Sequence, residues 1–168
     1  MNIHDAERVL VVSDPHGHPK LIRNALDHAG FDAVRDGLIC AGDLVDGDLG
    51  PDEAREEMEL LKAYDAQVLW GNHDVAVLLD YHISYQREWS RPTFRNAFRE
   101  DMGPERVLPG VTQMAGHSAP EMYGGRWTRD DLAAVGLHIV DSCYHQRQGT
   151  YGFRYAVIEN GKVEVRER

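Results

Sequence analysis

The chain has 168 residues, a formal net charge of −10 and two cysteines, Cys40 and Cys143, far apart in sequence. At this length roughly 70% of the unfolded surface can be buried, so a single domain over the whole chain is expected, with no disulfide framework or thiolate zinc site. The acidic balance repels phosphate backbones and makes a nucleic-acid polymer a poor partner. No apolar run reaches membrane-span length, and "MNIHDAERVL" lacks the basic-then-apolar order of a secretory leader, so a cytoplasmic protein is expected.

The elements alternate along the first part of the chain. "VLVVS" (Val9–Ser13) reads as a buried strand. "PKLIRNALDHA" (Pro19–Ala29) places Leu21, Ile22, Ala25, Leu26 and Ala29 at helical spacing, with Gly30 as its stop. "GLICA" (Gly37–Ala41) is a second strand, in which Cys40 reads as a small core residue. Pro51 opens a helix to about Tyr64, with Met58, Leu60 and Leu61 inward and its many acids on a solvated face. "QVLW" (Gln67–Trp70) is a third strand, with Trp70 packing at the sheet edge.

Two helical patterns follow, Val75–Trp89 and Pro92–Met102, then a loop marked by Pro104, Pro109 and Gly110. Short strands close the chain: Val111–Ala115, Leu137–Ser142, Phe153–Glu159 and Lys162–Arg166. The last two flank Asn160-Gly161, a strong hairpin signal. Strand, helix, strand, helix, strand implies crossover units and a largely parallel sheet.

Each of the first three strands runs straight into a polar cluster: "SDPHGH", "AGDLVDGD" and "WGNHD". In a parallel sheet the strand C-termini share one edge, where such folds place ligands. Asp14, His16, Asp43, Asp46, Asn72, His73 and Asp74 are therefore expected to be neighbours. Carboxylates, imidazoles and a carboxamide make a mixed nitrogen and oxygen donor set, suited to manganese, iron or zinc. Asp14 and His16 can offer two ligands from one strand end, Asp43 can bridge two ions, and Asn72 can bind the second through its carbonyl oxygen. Two ions would activate a bridging water for in-line attack at phosphorus. His73 suits a general acid for the leaving oxygen, with Asp46 holding its tautomer. Pro15 disfavours the helical region for Asp14 and should keep it extended.

The ordered series "SDPHGH…AGDLVDGD…GNHD" resembles the calcineurin-like metallophosphoesterase superfamily, whose pattern is D-x-H, G-D-x-x-D and G-N-H-[DE]. The surrounding text is most similar to the serine/threonine phosphatase and diadenosine tetraphosphatase branch. The resemblance covers Val9–Val77 and resumes from about Gly110. It implies a compact four-layer α/β/β/α sandwich and a phosphoesterase of mono- or diesters using two divalent ions, manganese first. It also implies Asp14 and His16 on metal one, Asp43 bridging, Asn72 on metal two, and His73 as acid backed by Asp46. "MAGHSAP" resembles the family's Gly-His-Thr-Pro element, which would make His117 a metal-two ligand.

Two departures stand out. The 44 residues between Asn72 and His117 leave no evident strand for the further metal-two histidine the family inserts there. His145, a water or a weaker ligand would fill that place. Gly47 stands where the protein phosphatases carry a phosphate-gripping arginine, with Arg91, Arg126, Arg147 and Arg154 as substitutes. These gaps motivate the alternative of a degenerate relative that keeps the fold as a binding or regulatory module. His4, His28, His82 and His138 read as surface or satisfied histidines.

Overall fold

A computed structural model of the chain describes residues 3–45, 50–71, 73–74, 112–116, 128–140 and 153–168. The helical patterns expected at Val75–Trp89 and Pro92–Met102 lie outside the described residues. A short 3-10 turn (Ile3–Asp5) leads into β1 (Arg8–Val12), α1 (Pro19–Ala29), β2 (Asp36–Cys40), α2 (Pro51–Ala63) and β3 (Gln67–Val68). Then follow β4 (Gln113–Ala115), α3 (Arg129–Ala134), β5 (Leu137–Ile139), β6 (Arg154–Glu159) and β7 (Lys162–Glu167).

The main sheet has the order β3-β2-β1-β6-β7. β1, β2 and β3 are parallel, as the crossover pattern predicts. β6 and β7 add an antiparallel hairpin beside β1, so the sheet is mixed. Its turn is the expected Asn160-Gly161, both residues with positive φ (51° and 72°) as a tight hairpin turn requires.

The apolar run of β1 is continuous because both of its faces are covered. Leu10 and Val12 pack with Leu38 and Cys40 against Leu21, Ile22, Ala25 and Leu26 of α1 and Leu61 of α2. Val11 points the other way, meeting Ala156 and Val140, with Val9, Ile39 and Met114 around them. There it faces the second sheet, in which β4 pairs parallel with β5. Beyond that sheet, Leu132 of α3 buries against Ala115, Leu137 and Ile139. Helices, sheet, sheet and helix give the α/β/β/α sandwich. Two-residue alternation on β1, β2 and β6 produces the layers, and each fully buried large apolar side chain contributes about 1.5–3 kcal/mol.

Local signals explain the element ends. α1 starts on Pro19 and stops at Gly30, whose left-handed backbone (φ 57°) lets its amide return to the last turn. α3 is only six residues long and is held by a capping box: Thr128 Oγ1 accepts from the Asp131 amide, and Asp131 Oδ2 accepts from the Thr128 amide. At the edge remote from the polar clusters, Arg8 grips Asp36 with two hydrogen bonds (2.9 and 2.7 Å). Tyr155 is fully buried, and its hydroxyl meets His28 Nδ1 at 2.9 Å, so His28 is a satisfied histidine. Burial pushes the Cys40 thiol far up, consistent with a core residue.

Three local expectations are corrected. Met58 is exposed, and Glu57 takes the buried place beside it; Leu61 is buried and Leu60 packs against the core, both as expected. The acids of α2 are not all solvated, since Glu57 is fully buried. β3 ends at Val68, and Trp70 is 70% exposed instead of packed at the sheet edge. Among the described residues no helix is long and apolar enough to cross a membrane.

Candidate metal centre

The loops leaving β1 and β2 are joined amide to carbonyl. Ala41 N donates to Val12 O (2.8 Å), Asp14 N to Gly42 O (3.1 Å) and His16 N to Asp43 O (3.0 Å). Both chains turn sharply here. Asp14, His16 and Asp43 all take positive φ, at 54°, 49° and 55°. Left-handed backbone in residues other than glycine costs about 1–2 kcal/mol each, and it persists where surrounding contacts impose it. Asp14 is therefore not extended, as its place before Pro15 suggested. The hydrogen bond from its amide to Gly42 turns it out of line with β1.

The turns aim three side chains at one point. Ligand atoms of His16, Asp43 and His73 all lie within 4.8 Å of one another. The His16 and His73 rings meet edge to face with centroids 4.7 Å apart. His16 and Asp43 are buried, and His73 is half-buried. His16 Nδ1 sits 3.0 Å from Val45 O, and a carbonyl only accepts, so Nδ1 carries the proton and Nε2 keeps the lone pair. Asp14 is buried two residues before His16, and Ser13 Oγ donates to its Oδ2.

Asp43 is positioned from both ends. Its Oδ1 accepts from His73 N (3.0 Å), and its own amide donates to Asp74 Oδ2 (2.9 Å). Asp74 Oδ2 also accepts from Gly71 N (2.8 Å), and Asp74 Oδ1 accepts from Leu44 N (2.7 Å). One buried carboxylate thus ties the loop after β2 to the loop after β3. Two glycines permit the close approach. A Cβ on Gly71 would overlap Asp43 Oδ1, and one on Gly116 would overlap Ser13 Oγ and Asp14 Oδ2. Gly116 follows β4 directly, so the second sheet also delivers its strand end to this edge.

Two imidazoles and a carboxylate, converging from three loops in a mostly buried place, fit a divalent transition ion by donor type. Four of the seven expected site residues are described, and three of them, His16, Asp43 and His73, form the trio; Asp14 is buried two residues before His16 but is not among the converging ligand atoms. Asp46, Asn72 and His117 lie outside the described residues, as do His145, Arg91, Arg126 and Arg147. Arg154, offered as a phosphate grip, pairs instead with Glu167 across the β6–β7 hairpin. The sequence assigned His73 to acid chemistry alone, whereas its ring nitrogen also stands among the ligand atoms. For Asp74 the sequence offers a place in the crevice or a cap of the following helix, and neither is the task of holding Asp43 in place. The signal was its place at the end of "GNHD", directly after His73.

A family model for calcineurin-like phosphoesterases matches residues 7–153. The chain belongs to the calcineurin-like phosphoesterase family. Residues 7–153 take in all three strand-end clusters and the "MAGH" segment. Among solved structures, the fold is similar to a crystal structure described as a candidate diadenosine tetraphosphatase. The two share 19% identity and a TM-score of 0.57, over 96% of this chain and 94% of that one. No curated protein matches the chain.

Proposed function

We propose that this protein is a metal-dependent hydrolase of phosphate mono- or diesters, and that the observation carrying this reading is the convergence of His16, Asp43 and His73 at the strand ends. Asp14, His16 and Asp43 would hold one divalent ion, with Asp43, Asn72 and His117 on a second; manganese suits the donors best, iron or zinc next. When bound, the ions supply Lewis-acid neutralisation of the phosphoryl oxygens and a more acidic water. The chain's own residues do the remainder. Asp74 and the His73 amide hold Asp43 in place, Val45 O sets the His16 tautomer, and the His73 imidazole gives its proton to the leaving oxygen as the P–O bond breaks. Asp46 orients His73. The left-handed backbone of Asp14, His16 and Asp43 and the close approaches at Gly71 and Gly116 set the ligand atoms in place before substrate arrives, which favours catalysis by preorganisation.

The substrate is a small phosphoester, a nucleotide or a phosphoprotein in the cytoplasm. The described likeness to a candidate diadenosine tetraphosphatase makes dinucleoside polyphosphates the first natural compounds to try. The test is hydrolysis of p-nitrophenyl phosphate and bis-p-nitrophenyl phosphate with and without manganese. Manganese-dependent turnover of either ester, lost in Asp43→Asn and His73→Ala, supports the reading. A folded protein that binds manganese yet turns over neither ester, nor any dinucleoside polyphosphate, favours the degenerate binding module.

A further inference from the structure

Glu57 is an acid in the wrong place for a surface helix. On α2 its neighbours Asp52, Glu56 and Glu59 are exposed, whereas Glu57 has no exposed surface. It lies on the inward stripe between Ala54 and Leu61. Three residues before it, Ala54 sits 3.7 Å from where a Cβ on Gly17 would be, so this part of α2 rests on the turn after His16. The amides of Gly17 and His18 face the Glu57 carboxyl, and Asp74 lies close enough to act on its charge. The His18 amide already donates to Pro15 O at 2.9 Å. Among the described residues neither carboxyl oxygen closes a hydrogen bond of ordinary geometry.

Such a group is costly to the fold. Burial pushes its carboxyl up to about 9, with the Asp74 charge adding to the rise and the Gly17 and His18 amides opposing it. A leucine of similar volume would remove that cost. The turn it faces is the strained one: His16 and Gly17 both have positive φ (49° and 79°). Backbone of this kind holds only where packing determines it.

We propose that Glu57 is a positioning residue for the metal site: from α2 its carboxyl faces the Gly17 and His18 amides and fixes the turn that presents His16. This rests on the metal-site reading above. Glutamine keeps an acceptor and a donor in the same shape, so it serves as the conservative replacement; leucine keeps volume and removes both.

The test measures manganese binding by isothermal titration calorimetry and thermal unfolding without metal, for the full chain as wild type, Glu57→Gln and Glu57→Leu. Glu57→Leu should melt at or above the wild-type temperature yet bind manganese about 10- to 100-fold more weakly, the usual loss for a group that orients a ligand. Glu57→Gln should bind within about threefold of wild type. A merely structural acid would instead lower the melting temperature and leave the affinity unchanged. Three outcomes overturn the proposal: a Glu57→Leu loss below about 10-fold, a leucine variant that melts lower or does not fold, or a glutamine variant as weak as leucine. If wild type itself binds no manganese, the metal reading falls, and this inference with it; tight wild-type binding with an equally tight leucine variant removes only the inference.

Discussion

Replacing Asp74 removes the acceptor that joins two loops, and the structure allows the cost to be worked out. Three amides donate to it, at 2.9 Å from Asp43, 2.7 Å from Leu44 and 2.8 Å from Gly71. A hydrogen bond to a charged acceptor contributes about 1.5–3 kcal/mol, and buried donors left without a partner lose most of that. The three share one side chain and water can reach half-buried Leu44, so the total falls short of the sum. For Asp74→Ala about 4 kcal/mol is expected, at the top of the usual range for one substitution. Asparagine discriminates further. With its carbonyl at the Oδ2 position it keeps the Asp43 and Gly71 amides, but its NH2 then faces the Leu44 N–H, donor against donor. Asp74→Asn should therefore cost about 2 kcal/mol, one lost bond. Urea unfolding of the metal-free protein at neutral pH, with unchanged slope, reads both numbers. Manganese affinity should fall in the same order. Equal losses for both variants, or losses within about 0.5 kcal/mol of wild type, would refute the strut reasoning.

Other expectations follow from single contacts. Asp36→Ala should destabilise by about 3 kcal/mol, the lower end for breaking a buried pair, because Arg8 is partly exposed. Burial alone would raise the Asp36 carboxyl, but the Arg8 hydrogen bonds and the Asp32 amide bring it below its ordinary value. Its stabilisation is thus present above the ordinary aspartate range and lost as pH falls through the folded value, so the alanine variant should show a shallower acid-side decline. For Glu57 the sign is opposite. Its folded pKa, about 9, stands above the ordinary glutamate value of 4.5, so the native state holds a proton the unfolded chain releases. Wild-type stability should decline as pH rises through that window, and Glu57→Gln should flatten the decline; parallel curves would contradict the burial argument. Gly71→Ala should abolish tight manganese binding while leaving far-ultraviolet circular dichroism unchanged, since the added carbon meets Asp43 Oδ1. Ordinary binding by that variant would show that the approach of the two loops is looser than described.

The main architecture was legible because it rests on periodicity. β1 reads as continuous because Val9 and Val11 meet the second sheet while Leu10 and Val12 meet the helices. α1 was legible to the residue, having Pro19 at its start, an apolar stripe and Gly30 at its end. The strand-end clusters located the site because topology alone gathers them. What stayed hidden depended on tertiary packing. Nothing local distinguishes Glu57 from Glu56, one facing the His16 turn and the other paired with Arg23 at the surface. Met58 looked inward because helical spacing fixes a stripe only to about one position, and Leu61 with Ala54 decides which one is buried. The left-handed backbone of Asp14 comes from a hydrogen bond to Gly42, 28 residues away in sequence, and the rule for residues before proline carries no knowledge of it. The task of Asp74 was hidden likewise, since two of its three donors come from another loop.

The most direct measurement is an anomalous difference map at the manganese edge from crystals grown with manganese, for wild type and Asp43→Asn. The account predicts a peak within coordination distance of Asp14, His16 and Asp43, beside His73, and its weakening or loss in the variant. A wild-type map with no peak at this edge of the sheet, or a peak elsewhere on the chain, would contradict it.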